Sequence, residues 1–74
     1  MNCFPSRAVV ESLRRSYPEG TRVALVQIND PYTKLRPGDQ GTVIAVDDVG
    51  TIHIQWNNGS TLGAAYGADV IRKL

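Results

Sequence analysis

The chain has 74 residues, 42% of them hydrophobic and 20% charged, and a formal net charge of +1. Such a chain forms one small folded domain, and its near-neutral charge argues weakly against a nucleic-acid-binding protein. One cysteine, Cys3, excludes an intramolecular disulfide. Because no apolar run is long enough for a secretory leader or a membrane span, we expect a cytoplasmic protein without membrane contact.

The first predicted element is an amphipathic helix over residues 6–17. Apolar residues recur there at spacings of three and four and form one stripe, namely Val9, Val10, Leu13 and Tyr17. The opposite face carries a basic strip, Arg7, Arg14 and Arg15, that Glu11 partly neutralises. Pro5 is expected at the first helical position. A helix of about three turns is marginal alone, so residues 1–20 should pack on residues 21–74.

The rest of the chain has the pattern of short strands. Strands are predicted over residues 22–28, 42–46, 52–56, 60–62 and 70–73. The strand 52–56 alternates strictly, with Ile52, Ile54 and Trp56 on one face and His53 with Gln55 on the other. A long loop, residues 29–38, follows the first strand and contains two prolines.

Turn chemistry separates the later strands. Residues 47–50 predict a tight hairpin turn, and Asn58-Gly59 predicts a two-residue type I′ turn. The small segment 63–65 predicts a bulge or a close backbone approach, and residues 66–69 predict a turn. Five short strands are most stable as a curled sheet, so the prediction is a small five-stranded SH3-like barrel, mainly β, with an N-terminal amphipathic α-helix. The strands 22–28 and 70–73 are predicted edges that could pair in a homodimer.

Several segments together carry a family resemblance: YPEGTRV (17–23), NDPY (29–32), PG (37–38), GTV (41–43), VDDVGTIH (46–53) and WNNGS (56–60). They resemble a family of small bacterial and phage proteins known as a domain of unknown function. More loosely, the glycine and Trp-x-Asn-Gly pattern is similar to SH3-like barrels of eukaryotic ligases and transcription-elongation modules. The resemblance implies an SH3-like barrel of bacterial, phage or mobile-element origin without catalytic residues. The family pattern more often has aspartate at Asn57.

Metal binding and catalysis are not expected from this sequence. Asp47 and Asp48 are adjacent in a turn, where Asp side chains ordinarily accept hydrogen bonds from nearby backbone N–H groups. With His53 they supply too few converging ligands for a metal. His53 also lacks the nucleophile or acid partner of a general base. We therefore predict a non-enzymatic protein that needs no cofactor.

Five residues are predicted to contact a protein partner: Asp30, Tyr32, Lys34, Trp56 and Tyr66. Exposed aromatic side chains often dominate such interfaces, although Trp56 also fits a core position. The basic strip is interpreted either as a solvated helix face or as a contact for phosphates or another anionic partner. The predicted function is a protein-binding interaction module. The alternatives are a nucleic-acid-binding barrel and a phage-encoded inhibitor of a host defence protein.

Overall fold

The computed structural model describes residues 5–29 and 32–74. One helix, α1 (Arg7–Ser16), precedes five strands: β1 (Arg22–Gln27), β2 (Gln40–Val46), β3 (Ile52–Trp56), β4 (Thr61–Ala64) and β5 (Val70–Lys73). The mainly β class, the N-terminal helix and the order of the five strands are therefore confirmed. Over this described part, no helix has the length and apolar character needed to cross a membrane.

Helix α1 begins two residues later than the proline pattern predicts. Ser6 is the N-cap, because its Oγ accepts a hydrogen bond from the Val9 N–H (3.3 Å), and Pro5 precedes this cap. The prediction of Pro5 at the first helical position is therefore wrong. On the apolar face Val10 is buried, and Leu13 packs against the core. This amphipathic packing stabilises a helix that is too short to persist alone.

The strands form one antiparallel sheet in the order β4-β3-β2-β1-β5. Shifts in register occur between Val43 and Ala45 in β2 and between Leu25 and Gln27 in β1, and such irregularities bend strands. Within the described residues no ladder joins β4 to β5, so the sheet is not closed. The prediction that residues 22–28 form an edge is wrong, because β1 lies between β2 and β5. The strand 70–73 is an edge, as predicted.

One hydrophobic core lies on the inner face of the sheet. The alternation predicted for β3 is confirmed, since Ile52, Ile54 and Trp56 are buried and His53 is exposed. Trp56 is only 2% exposed, and its Nε1–H donates to the Leu62 carbonyl at 3.0 Å. The other buried members of this core are Val23, Leu25, Leu35, Val43, Val46 and Ala64. Leu35 comes from the long loop, so part of that loop is anchored in the interior.

The β2–β3 loop confirms the predicted turn chemistry. The Asp47 N–H donates to the Thr51 carbonyl (3.0 Å), and the Gly50 N–H donates to the Asp47 carbonyl (3.1 Å). Asp47 Oδ1 accepts hydrogen bonds from the backbone N–H groups of Val49 (3.1 Å) and Thr51 (2.9 Å). Gly50 has φ +81°, so this is a three-residue loop that ends in a left-handed glycine.

The β3–β4 loop has the same design, which corrects the predicted type I′ turn. The Trp56 N–H donates to the Ser60 carbonyl (2.8 Å), and the Gly59 N–H donates to the Trp56 carbonyl (3.0 Å). Gly59 has φ +93°, whereas no described residue other than glycine has a positive φ. A type I′ turn needs positive φ at both central residues, so Asn58-Gly59 does not form one. Asn58 Oδ1 instead accepts from the Ser60 N–H (2.9 Å).

The predicted close approach at residues 63–65 is confirmed at Gly63. A Cβ atom at this position would lie 2.5 Å from Cγ2 of Thr51, which immediately precedes β3. Gly41 in β2 is equally restricted, since a Cβ there would lie 2.6 Å from Ile54 Cγ2. A side chain at either position would therefore displace its neighbours, so only glycine fits this packing.

Candidate functional site

An apolar groove lies where the sheet is open, between β4 and β5. We call it the β4–β5 groove and define it by its apolar side chains Leu13, Tyr17, Ile52, Ala64, Ala65, Tyr66, Val70 and Ile71. Its volume is about 270 Å³. Ile52 and Ala64 are buried and form its floor, whereas Tyr66 is 51% and Val70 47% exposed. The groove thus combines a fixed apolar floor with large side chains that face solvent.

Tyr66 is held in place by the turn that joins β4 to β5. Asp69 organises this turn, because its Oδ2 accepts from the Ala65 N–H (2.9 Å) and its Oδ1 accepts from the Asn29 N–H (2.7 Å). The Ala65 carbonyl accepts from the N–H groups of Ala68 (3.1 Å) and Asp69 (3.0 Å). The carboxylate of Asp69 is therefore engaged within the fold, and its role is to position the turn that carries Tyr66.

The groove has a cation beside it. Lys73 Nζ lies 5.5 Å from the centre of the Tyr17 ring, which is within the range of a cation–π interaction. The same Tyr17 lines the groove from the helix side. A positive charge therefore lies near the groove without entering its apolar interior.

The residues predicted to contact a partner do not lie together. Tyr66 lines the groove, whereas Lys34 lines a separate pocket beside the β3–β4 loop. Tyr32 is 93% exposed and lines neither cavity. Trp56 is buried in the core, so its ring offers no surface in this conformation. Asp30 lies outside the described residues. The binding roles of all five remain predictions.

The basic strip is partly neutralised by neighbouring groups. Arg7 Nε lies 3.2 Å from Glu11 Oε1. Arg14 donates from Nε to the Val46 carbonyl (3.1 Å) and from Nη2 to Asp48 Oδ1 (2.6 Å), which ties α1 to the β2–β3 loop. Among the residues that the structure describes, Arg15 has no ion-pair partner. Arg14 thus has a structural role that helical spacing alone does not reveal.

Asp47 and His53 form a pair on the sheet surface. His53 Nε2 lies 2.8 Å from Asp47 Oδ2. Partial burial alone raises the pKa of Asp47, but the hydrogen bonds from His53 and from the Thr51 and Val49 N–H groups outweigh it. The net effect holds the pKa of Asp47 below its ordinary value of 3.8. In the described part of the chain, no group of three or more His, Cys, Asp and Glu residues is placed to hold a metal ion.

Two features of the surface were missed by sequence reasoning. The first is the contribution of Leu13 and Tyr17 to the groove, for which the apolar helix stripe was a partial signal. The second is a polar cluster around Arg22, which donates to Thr42 Oγ1 (2.8 Å), Asn57 Oδ1 (3.1 Å) and Gln40 Oε1 (3.4 Å). No sequence signal joins these four residues, because strand pairing brings them together.

The fold and surface describe a small mainly β protein in which one helix covers part of a single antiparallel sheet. The family profile of a domain of unknown function, DUF4314, matches residues 6–74. The chain belongs to this family. No curated protein and no solved structure matches it.

Proposed function

We propose that this protein is a non-enzymatic interaction module that binds an extended apolar segment of a protein partner in the β4–β5 groove. The single observation that carries the proposal is the half-exposed Tyr66 beside a groove with a buried apolar floor. Aromatic side chains next to such pockets commonly supply much of the energy of protein binding. The volume of the groove, about 270 Å³, is also just below the usual range for small-molecule sites.

An extended segment is favoured because the groove follows the free edge of β5. Among the described strands, β5 pairs only with β1, so its other edge has backbone groups available for pairing. A partner strand can add to such an edge while its alternate side chains enter a neighbouring pocket. Val70 and Ile71 belong both to β5 and to the groove wall. Lys73 near Tyr17 favours an acidic residue beside the apolar ones in that segment.

The test is a selection of peptides from a random library on the intact chain, followed by NMR mapping of the selected peptide. We expect its binding to shift the backbone resonances of Tyr66, Val70 and Ile71. Tyr66→Ala should raise the dissociation constant of the peptide about thirtyfold or more, because truncating a central aromatic anchor typically costs at least about 2 kcal/mol. The matched control is Tyr32→Ala, which removes another exposed tyrosine that lies outside the groove.

Two outcomes would contradict this site. If the selected peptide loses affinity equally for the Tyr66→Ala and Tyr32→Ala variants, it does not bind in the groove. A concentration-dependent increase in mass by light scattering, abolished by Tyr66→Ala, would assign the groove to a second copy of this chain instead.

A second candidate function, binding of single-stranded nucleic acid, is favoured by Arg22. Its guanidinium is held by three neutral acceptors, and in the described residues no carboxylate forms an ion pair with it. Arg72 pairs with Ala24 and therefore lies on the same face of the sheet. A fixed guanidinium plane can stack on a base, and both arginines can contact phosphates.

This candidate is tested by fluorescence anisotropy with a short single-stranded oligonucleotide at several salt concentrations. Binding should weaken as salt rises, because phosphate contacts release counterions. Asn57→Asp should weaken binding by placing a carboxylate beside Arg22, whereas Arg7→Gln, which removes a charge on the helix, should have less effect. This candidate function would be wrong if the affinity for the oligonucleotide did not change with salt concentration or with Asn57→Asp.

The SH3-like architecture belongs to the same proposal. It is supported by the strand order, the bent strands β1 and β2 and the single core enclosed by the sheet and α1. We likewise propose a cytoplasmic protein of bacterial, phage or mobile-element origin, in keeping with the resemblance described above. Inhibition of a host defence protein would be one use of the same groove.

A further inference from the structure

A pocket with several polar side chains at its rim and a partly apolar lining lies between the long loop and the β3–β4 hairpin. We call it the hairpin pocket, and its lining consists of Thr33, Lys34, Asn58, Ser60, Thr61 and Leu62. Its volume is about 320 Å³, which is at the lower end of the range for small-molecule sites. None of these six residues belongs to the β4–β5 groove. The hairpin pocket is therefore a separate site, independent of the proposed peptide binding.

The pocket is rich in hydrogen-bond donors. Thr33 Oγ1 accepts from the Leu35 N–H (3.2 Å), which leaves its hydroxyl hydrogen to donate. Asn58 Oδ1 accepts from the Ser60 N–H (2.9 Å) and Ser60 Oγ (2.8 Å), which leaves the two amide N–H groups of Asn58. Thr61 adds a hydroxyl and Lys34 an ammonium group. The pocket thus presents donors from both of its walls.

In the part of the chain that the structure describes, no acidic side chain balances the charge of the pocket. No described Asp or Glu lines it, and over the described residues Lys34 has no ion-pair or hydrogen-bond partner. An ammonium group beside several neutral donors and without an acid is suited to an anion. Phosphate has oxygens on several sides and can accept from donors around a cavity, whereas a carboxylate presents two oxygens in one plane.

The two walls are held in fixed positions. Leu35, next to Lys34, is buried in the core. The turn that follows is tied to β1, because the Gly38 N–H donates to the Leu25 carbonyl (2.7 Å). The other wall is the β3–β4 loop, closed by the hydrogen bonds at Ser60. Donors that are already positioned lose less entropy when a ligand binds.

We propose that the hairpin pocket binds the phosphate group of a small molecule, with Lys34 supplying the charge and Thr33, Asn58 and Thr61 supplying further hydrogen bonds. This inference adds a ligand site to a chain for which the peptide groove is proposed on separate grounds.

The test is an NMR titration of the intact chain with inorganic phosphate and, in a second arm, with glycerol phosphate, both at constant ionic strength. We expect saturating shifts of the backbone resonances of Thr33, Lys34, Asn58, Ser60 and Thr61. Lys34→Gln should raise the dissociation constant about tenfold, the value expected for a charged hydrogen bond. Asn58→Asp keeps the size of the side chain but adds a negative charge, and it should abolish the response.

The matched control is Lys73→Gln, which makes the same change of charge outside the pocket and should leave the dissociation constant unchanged. If both probes bind, inorganic phosphate is sufficient for recognition by the pocket. If only glycerol phosphate binds, the ligand of the pocket is an organic phosphate monoester. The proposal is overturned by the absence of saturating shifts, or by an equal loss in Lys73→Gln. A third arm uses a short single-stranded oligonucleotide. The proposal is also overturned if this oligonucleotide shifts these resonances and neither phosphate probe does, since the site would then bind a nucleic-acid strand.

Discussion

The two hairpin loops provide a matched test of how the start of the chain is packed. Gly50 and Gly59 occupy the same place in loops of the same design, and both have positive φ. A Cβ added at Gly59 would meet nothing within 4 Å, whereas at Gly50 it would lie 2.5 Å from Pro5 Cγ. Alanine at the two positions therefore has the same backbone strain but a different steric environment.

The expected magnitudes follow from this difference. Left-handed backbone costs an alanine about 1–2 kcal/mol, and overpacking adds about 1–3 kcal/mol. Gly59→Ala should therefore destabilise the protein by about 1–2 kcal/mol and Gly50→Ala by about 2–5 kcal/mol. The effect of replacing glycine on the unfolded chain is similar in both variants and cancels in the comparison. In a domain of this size each 1 kcal/mol lowers Tm by roughly 4–8 °C.

The assay is urea unfolding followed by the fluorescence of the buried Trp56, with a double-mutant cycle. Pro5→Gly removes the ring that the new methyl group would contact, so it should recover most of the extra loss in Gly50→Ala. Equal destabilisation by Gly50→Ala and Gly59→Ala would refute the reasoning, because the packing of Pro5 on the loop would then contribute nothing.

Three further predictions concern single interactions. Asp47→Asn should be less stable than the parent protein at neutral pH. In urea unfolding series at decreasing pH, the difference in free energy of unfolding between the two proteins should narrow as the pH falls below 3.8. The reason is that the folded state holds the pKa of Asp47 below this ordinary value. Leu35→Ala should lower the free energy of unfolding by about 2–5 kcal/mol, whereas the exposed Val26→Ala should change it by less than about 0.5 kcal/mol. Arg14→Gln should weaken the contact of α1 with the β2–β3 loop and accelerate amide exchange in α1 more than Arg15→Gln does.

Each of these has a contrary result. A gap between Asp47→Asn and the parent protein that is constant or grows in acid would mean that the carboxylate contributes no charge-dependent stability. Equal effects of Leu35→Ala and Val26→Ala in urea would place the long loop outside the cooperative core. Equal rates of amide exchange in α1 in Arg14→Gln and Arg15→Gln would show that the contact of Arg14 with the β2–β3 loop does not stabilise the helix.

Local patterns predicted β3 well because it packs one face on the core and exposes the other, so its burial alternates along the strand. The strict alternation of Ile52, Ile54 and Trp56 is such a pattern. The size of the β3–β4 loop was not predictable in this way, since Asn-Gly fits both a two-residue and a three-residue loop and the pairing of Trp56 with Ser60 decides between them.

The candidate site depended more on distant contacts. Tyr66 was predicted as a binding residue, but its neighbours in the groove come from α1 and β5, which no local pattern joins. The aromatic character of Trp56 and Tyr66 predicts the same binding role for both. In the structure Trp56 is buried in the core, whereas Tyr66 is half-exposed at the groove. The position of β1 inside the sheet depends likewise on the long-range pairing with β5.

That long-range pairing has a consequence for the order of folding. Strands β2, β3 and β4 are joined by short loops of one design. Their contacts therefore require the closure of only short loops, which costs little conformational entropy, and can form early. The ladder between Val23 and Lys73 must instead bring together segments from near the two ends of the chain. We expect the β2–β4 meander to be structured in the folding transition state and β5 to dock afterwards. Substitutions in β5 should therefore accelerate unfolding while leaving the folding rate nearly unchanged.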